Sequence, residues 1–532
     1  MTDWRATGPS RRLEAHFGDR LVPCFAERPG NVHALLADAA ARRPDGEALV
    51  CGETRLIWTE VLERSAAVAA GLRQLGVSAG DRIALLLGNK IEFVLAWFGA
   101  ARLGAVTVPL GIRQQRPEIA YALKDCSARV LIHEAELADR VPSPTEAPAL
   151  ERRIAVGLRG PDTFEALVGG ASGDPPVPVP VGEEDTAAIL YTSGTTGRPK
   201  GAMLTNLGIV HSAMVFESCM ELTADDRSVA AVPLSHVTGL IANIAALARC
   251  AGALVILPAF KAGEFLAVAE HERMSHTVIV PAMYNLCLLE HEFEARDLSA
   301  WRIGGYGGAP MPTATIERLA EKLPRLKLMN AYGATETTSP AVLMPPRYTA
   351  THSDSVGKAV PCATLAVMDE QGRELPRGEV GEIWIHGPAV VRGYWNNLEA
   401  TEREIVAGFW RSGDLGSIDA EGFVRVLDRK KDMINRAGYK VYSVEVETVL
   451  AAHPGVVECA VVGTPCAILG ERVHAFVVAR NEALTPEILR AFCAERLSDY
   501  KTPESVTLLT DPLPRNANGK VLKRLLRQEL IG

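Results

Sequence analysis

"TSGTTGRPKG" occupies Thr192 to Gly201, and its reading decides the fold. Hydroxyls at Thr192, Ser193, Thr195 and Thr196 interleave with glycines at 194, 197 and 201, and the only charges are Arg198 and Lys200. Such residues cannot build a core. Gly/Ser/Thr tracts form solvated linkers. They also form phosphate cradles, where bare backbone N–H groups approach an anion that side chains would block. Upstream, "AAILY" (187–191) is a short apolar run suited to a buried strand. Downstream, "AMLTN" leads into "LGIVHSAMVFESCM" (207–220), apolar at helical spacing, with Asn206 as its N-cap. Strand, glycine-rich turn, helix is a phosphate-loop layout. The GxxxxGK[ST] signature is nevertheless absent, because Arg198 and Pro199 separate Gly197 from Lys200. Composition alone leaves linker and loop both open.

The chain of 532 residues is long enough for more than one domain and for large cores. Its 48% hydrophobic and 23% charged residues are ordinary for a globular protein. A net charge of −8 without a basic block argues against nucleic acid as a partner. The ten cysteines form no CxxC pair and no Cys/His cluster at zinc spacing, which implies reduced thiols and a cytoplasmic protein. "MTDWRATGPSRR" offers no apolar signal-peptide segment. Residues 228–248 lack Asp, Glu, Lys and Arg, but Pro233, Ser235, His236, Thr238 and Asn243 interrupt them. Buried strand, loop and helix is expected there, not a membrane span.

Strand-like and amphipathic runs alternate up to about residue 430: "DRIALLLGN", "KIEFVLAWFGAARLG", "AVTVPL", "ARVLIHE", "GALVILP". The alternation predicts an α/β fold whose large N-terminal domain is layered with mainly parallel sheets. "ASGDPPVPVPVGEED" (171–185) reads as an extended surface connection, and "ELPRGEVGEIWIHGPAVV" (374–391) as a small β unit. After "LDRKKD" the texture becomes that of a small α+β domain, with Ser443 capping a helix and Thr485–Pro486 opening another. The expected domains are 1–430 and 431–532.

Four further stretches look unlike core: "YGGAP" (306–310), "NAYGATET" (330–337), "WRSGDLG" (410–416) and "RNANGK" (515–520). Each alone is a weak signal, since a Gly-Asp pair usually marks a turn and a loop lysine is usually solvated. In this order, with "YTSGTTGRPKG" and "DRKKD", the chain from about residue 30 onward resembles the AMP-forming adenylating superfamily, in its acyl-CoA synthetase branch. On that resemblance the glycine-rich stretch is a phosphate loop.

The resemblance implies two steps: a carboxylate attacks the α-phosphorus of ATP and expels pyrophosphate, and a thiol then attacks the acyl-adenylate. It places Thr192, Ser193, Gly194, Thr195, Thr196 and Lys200 on the β- and γ-phosphates. Gly308, Ala309 and Pro310 lie along adenine, with Tyr332 near it. Thr335 meets the α-phosphate, Glu336 holds Mg2+, and Asp414 and Arg429 take the ribose hydroxyls. Lys520 bridges carboxylate and α-phosphate, and His236 sits near the acyl carboxylate. Lys431 is the hinge of a mobile C-terminal domain, and Gly438 borders the route of the CoA thiol. "PRNANGK" leaves open a lysine acetyltransferase and deacetylase acting on Lys520, and a homodimer is likewise left open.

Amino acids are disfavoured as substrates, because Ala230 to Gly239 holds no Asp or Glu to pair with an ammonium. "SHVTGLIANI", "GGYGG" and "ATETTSPAV" are small and apolar and carry no Lys or Arg, which favours a hydrophobic monocarboxylic acid: fatty, branched or aryl. Two alternatives stand beside a CoA ligase: an enzyme loading a carrier protein in trans, and a non-catalytic acyl- or nucleotide-binding protein.

Overall fold

The computed structural model describes residues 8–170, 174–192, 199–466, 468–480, 483–515 and 521–530. The chain divides into two compact units: residues 1–365 with 385–411, and residues 366–384 with 412–532.

The first unit is built on two sheets. In one, β1 (Thr186–Thr192) has β2 (Lys200–Thr205) on its antiparallel side. On its other side run the parallel strands 106–109, 82–86, 130–134 and 152–156. Ile83 to Leu86 are all fully buried, as expected of a parallel strand covered on both faces. From β2 the chain enters α1 (Asn206–Cys219), then β3 (Arg227–Ala230), β4 (Ala253–Ile256), β5 (His276–Ile279), β6 (Ile303–Gly307), β7 (Lys327–Ala334) and β8 (Ser339–Leu343). These form the second sheet in the order 357–359, β8, β7, β6, β5, β3, β4, 47–51, 54–57. Pairing is parallel from β7 through to 47–51 and antiparallel at both ends.

α1 is buried on nearly all sides, with Ile209, Met214 and Phe216 fully enclosed. Each such side chain contributes about 1.5–3 kcal/mol. Residues 228–248 contribute β3, a π-helical turn at Thr238–Ala245 and the start of a short helix, as the sequence suggests. Among the described residues no helix is long and apolar enough to cross a membrane.

Two local expectations are corrected. The glycine-rich stretch does not feed straight into a helix: β2 intervenes and pairs back on β1, Lys200 opposite Thr192 and Gly201 opposite Tyr191. β1 and β2 are therefore antiparallel partners, and residues 193–198 between them lie outside the described residues. Asn206 is not the N-cap either. Thr205 caps α1 by accepting the Gly208 N–H at 3.1 Å. The Asn206 amide is committed elsewhere, accepting Val32 N–H at 3.1 Å and donating to the carbonyls of Gly182 and Asp185 at 3.2 and 3.3 Å. Tying three segments together outweighs capping one helix.

Strand 381–386 and its neighbour β9 (Phe409–Ile418) lie mostly in the second unit, where β9 pairs antiparallel with β10 (Phe423–Arg429). A hairpin of β11 (Ile434–Arg436) and β12 (Tyr439–Val441) precedes α2 (Ser443–Ala451). Then come β13 (Val456–Cys466), β14 (Gly470–Ala479), α3 (Pro486–Ala494), β15 (Ser505–Leu509) and α4 (Lys523–Glu529). Thr485 caps α3 as expected. Ser443 does not cap α2. It is the first helical residue, its N–H donating to Asp428 Oδ2 and its Oγ accepting from Lys523 Nζ at 2.6 Å.

His211 in α1 generates a test of the first unit. Its ring stacks on Phe25, donates from Nδ1 to the Leu207 carbonyl at 2.9 Å, and accepts the Phe25 N–H at Nε2 at 3.1 Å. Burial pushes its pKa down from 6.5 to about 4. The unfolded chain takes the proton first as pH falls, so stability is lost between pH 6.5 and 4, at up to about 1.4 kcal/mol per pH unit. The urea midpoint followed by tryptophan fluorescence should drop from pH 7 to pH 5. The drop should shrink in His211→Gln yet persist, because His33 and His276 are also pushed down to about 4. A midpoint flat across that range would contradict the assignment.

Candidate active site

The C-terminal ends of β6 and β7 and the base of the β1–β2 hairpin bring together several of the residues singled out in the sequence. Glu336 lies in the tight 3-10 turn Thr335–Thr337 that follows β7, and only 8% of it is exposed. Its Oε1 lies 3.0 Å from Tyr394 Oη and 3.3 Å from Thr192 Oγ1. Hydroxyls hold this carboxylate, and among the described residues it has no basic partner. The Val391 N–H donates to the Glu336 carbonyl at 2.9 Å and fixes the backbone.

The turn is strained. Thr338 and Ser339, neither of them glycine, have φ of 49° and 90°. Left-handed backbone in such residues costs on the order of 1–3 kcal/mol each. Thr338 Oγ1 donates to the Ala389 carbonyl at 2.7 Å and helps hold the conformation.

Lys200 opens β2 with its side chain nearly enclosed. Nζ lies 2.5 Å from Glu404 Oε2 and 4.2 Å from the Tyr394 ring centre. Tyr394 Oη also lies 2.7 Å from Glu404 Oε2, and Arg403 Nη2 donates to Glu404 Oε1 at 2.9 Å. Burial pushes the Glu404 carboxyl up, but hydrogen bonds from Lys200, Tyr394 and Arg403 outweigh it, so the net direction is down and the group is ionised. Burial first, then the nearby carboxylates, raise the Tyr394 phenol above its ordinary value, so it keeps its proton. A cavity of about 320 Å³ adjoins this cluster, lined by Tyr121, Asp125, Lys200, Gly201, Trp395 and Asn397 among others.

Beside these, Gly308 ends the β6 segment with φ 77°, and Ala309 and Pro310 after it are exposed. Tyr332 is half-buried on β7. His236 is half-buried in the segment before the π-helical turn, and burial holds its imidazole below 6.5. Its Nδ1 accepts the Thr238 N–H at 3.4 Å, which leaves the ring proton on Nε2. Buried Asn89 braces that segment by accepting Leu234 N–H at 2.9 Å and donating to the Val232 and Leu257 carbonyls.

In the second unit, Asp414 and Arg429 face each other across β9 and β10, with Arg429 Nε 2.7 Å from Asp414 Oδ1. Asp414 lies inside β9 and is buried, while the Arg429 side chain is half-exposed. Lys431 is exposed in the turn after β10, and its carbonyl accepts from Arg527 Nη2 at 3.4 Å. Ala437 and Gly438, with φ 51° and 88°, form the two-residue turn between β11 and β12. Both positive angles match the type I′ hairpin turn. Ser193, Gly194, Thr195, Thr196 and Lys520 lie outside the described residues.

Sequence reasoning missed Tyr394 and Glu404. The string "LEATERE" reads as a solvated helix face, and nothing local marks Glu404 as the counter-ion of a lysine 204 positions earlier.

The parallel sheet, the hydroxyl-held acid at its strand ends and the small α+β unit agree with the AMP-binding enzyme family. The AMP-binding enzyme family matches residues 36–395, and the AMP-binding enzyme C-terminal domain matches residues 445–520; the chain belongs to this family. It is 35% identical to a feruloyl-CoA synthase of an Amycolatopsis species, covering 92% of this chain and 97% of the relative. It is 34% identical to the fatty acid–[acyl-carrier-protein] ligase ScoC of Streptomyces coeruleorubidus, covering 93% and 95%. The structure superposes on o-succinylbenzoate coenzyme A synthetase of Bacillus subtilis in complex with ATP and magnesium, with a TM-score of 0.83, 29% identity, and coverage of 94% and 99%.

Two glycines test how tightly the site is built. A Cβ on Gly333 would fall 1.8 Å from the Ser339 carbonyl oxygen, whereas one on Gly308 would meet nothing within 4 Å. Gly333→Ala must therefore push β7 from β8, at a cost of about 3 kcal/mol or more. Gly308→Ala meets only left-handed strain, about 1–2 kcal/mol. Urea denaturation should rank the two in that order. The reverse ranking would refute the packing at this turn.

Proposed function

We propose that the protein is an AMP-forming carboxylate–CoA ligase that activates a hydrophobic monocarboxylic acid (fatty, branched or aryl) through an acyl-adenylate. The observation that carries this reading is Glu336: a buried carboxylate, held among the described residues by hydroxyls, one of them that of Thr192 where the glycine-rich stretch begins. An acid among oxygen donors, with no basic partner among the described residues, suits a hard divalent cation. Mg2+ there, when bound with ATP, neutralises phosphate charge.

The chain's own residues divide the remaining work. Thr192, Lys200 and the 193–196 stretch hold the β- and γ-phosphates. Gly308 to Pro310 and Tyr332 border adenine, and Thr335 lies at the α-phosphate. Asp414 and Arg429 take the ribose, the carboxylate accepting from hydroxyls and Arg429 fixing its orientation. His236 offers Nε2–H toward the acyl carboxylate. Lys520 neutralises charge between the two anions during adenylation, and motion about Lys431 then withdraws it. Reversible acetylation of Lys520 by a lysine-modifying enzyme would stop the first step by removing that charge. A cytoplasmic location and a homodimer complete the reading.

Loading of a carrier protein is the second reading, favoured by the likeness to a fatty acid–[acyl-carrier-protein] ligase. The assay that separates the readings is AMP formation over a panel of fatty, branched and aryl acids, with free CoA or with a carrier protein. AMP release that depends on CoA is expected. Pyrophosphate exchange without CoA-dependent turnover would overturn the acceptor. No exchange with any acid would overturn the enzyme reading.

Gly438 separates the half-reactions. Its φ of 88° strains any side chain, so Gly438→Ala measures strain and Gly438→Trp adds bulk. Relative to Gly438→Ala, Gly438→Trp should retain pyrophosphate exchange and lose CoA-dependent turnover by at least about tenfold. Equal loss of both activities would remove Gly438 from the thiol's route.

A further inference from the structure

Lys200 is assigned to the triphosphate, yet its ammonium is already occupied. It sits 2.5 Å from Glu404 Oε2, with 8% of the lysine side chain and 20% of the glutamate side chain exposed. A pair so shielded is screened far less than one at the surface. For Lys200 to serve a phosphate it must leave Glu404. The surrounding hydrogen bonds show how Glu404 is left satisfied.

Tyr394 is the key. Its single phenolic proton lies between two acceptors, Glu336 Oε1 at 3.0 Å and Glu404 Oε2 at 2.7 Å, and it serves one at a time. While Lys200 and Arg403 both hold Glu404, the phenol is free to donate to Glu336, which lacks a basic partner among the described residues. When Lys200 departs, Glu404 keeps Arg403 and takes the phenol, and Glu336 is released toward a cation.

We propose that Glu404 is a resident stand-in for the triphosphate: a positioning residue that stores Lys200 against Tyr394 and hands it over to the incoming polyphosphate. The handover swings the Tyr394 hydroxyl from Glu336 to Glu404, so phosphate capture and the opening of Glu336 are one event. No covalent bond changes. This rests on the reading of Lys200 as a phosphate ligand, and it adds Glu404 and Tyr394 to the site as the groups that hold Lys200 and Glu336.

The test uses inorganic tripolyphosphate and, separately, AMP, both with chelator and without magnesium, on the full chain by calorimetry. Glu404→Gln keeps the shape and removes the competing charge. A lysine no longer held back by its stand-in should bind tripolyphosphate about tenfold more tightly, as when a minor binding-competent state becomes the major one. AMP lacks the β- and γ-phosphates, and its affinity should not change. In a Lys200→Met background the gain from Glu404→Gln should vanish, whereas a general loss of negative charge near the site would persist. Glu404→Asp, whose shorter carboxylate withdraws from Lys200, should give a smaller gain and provides a second variant if the glutamine form melts early. Unchanged or weaker tripolyphosphate binding in Glu404→Gln, or a gain that survives Lys200→Met, would overturn the exchange. Wild-type protein that binds tripolyphosphate but not AMP would overturn the nucleotide reading while leaving the exchange to stand on the variants.

Discussion

A buried carboxylate is costly unless polar groups hold it, and the first unit is arranged around one. Glu336 is held by Thr192 and Tyr394, two hydroxyls from strands and loops far apart in sequence. Hydroxyls stabilise a buried carboxylate, and among the described residues no basic group joins them. That arrangement sets the character of the turn. It also explains why the turn is braced from several sides, by Val391 N–H on the Glu336 carbonyl and by Thr338 on Ala389.

Bracing of this kind carries strain. Thr338 and Ser339 adopt left-handed backbone where glycine would be comfortable. The segment 387–391 and the end of β7 over-determine the conformation, which lets the strain persist. Gly333 shows the same economy of space: the Ser339 carbonyl passes where a side chain would begin. Glu336 is thereby set at a fixed depth and orientation.

The second unit solves a related problem with opposite means. Asp414 is buried too, but Arg429 meets it directly across the strand pair. Charge there is balanced across the pair, and the half-exposed guanidinium keeps the buried carboxylate oriented. Beneath it, Asp428 receives the Ser443 N–H, and Lys523 reaches Ser443 Oγ and Glu447 Oε1 at 2.6 Å each. That cluster ties β10, α2 and α4 into one body. The turn bearing Lys431 is anchored to the same helix through Arg527, which pairs with Asp432 at 2.8 Å.

The amino-acid sequence alone determined most of the elements and pointed to candidate site residues. Continuous apolar runs at 83–86, 130–132 and 253–256 became the buried parts of parallel strands, because burial on both faces demands that pattern. Thr485 capped its helix because a cap is a contact between neighbours. Motifs such as "YGATE" and "SGDLG" marked Glu336, Asp414 and their surroundings through residue type and order. Tertiary structure decided what depends on partners distant in the chain. Asn206 gave up capping to join segments near residues 32 and 182–185. Lys200 to Thr205, which follow the glycine-rich stretch, became a strand because they found the edge of β1 to pair with. Lys200 acquired Glu404, a residue that local sequence marks only as one more charge on a short helix. Periodicity and capping act over a few residues and are written locally. Charge pairing in a buried site is set by which strands and loops the topology brings within a few ångströms, and no local pattern encodes that.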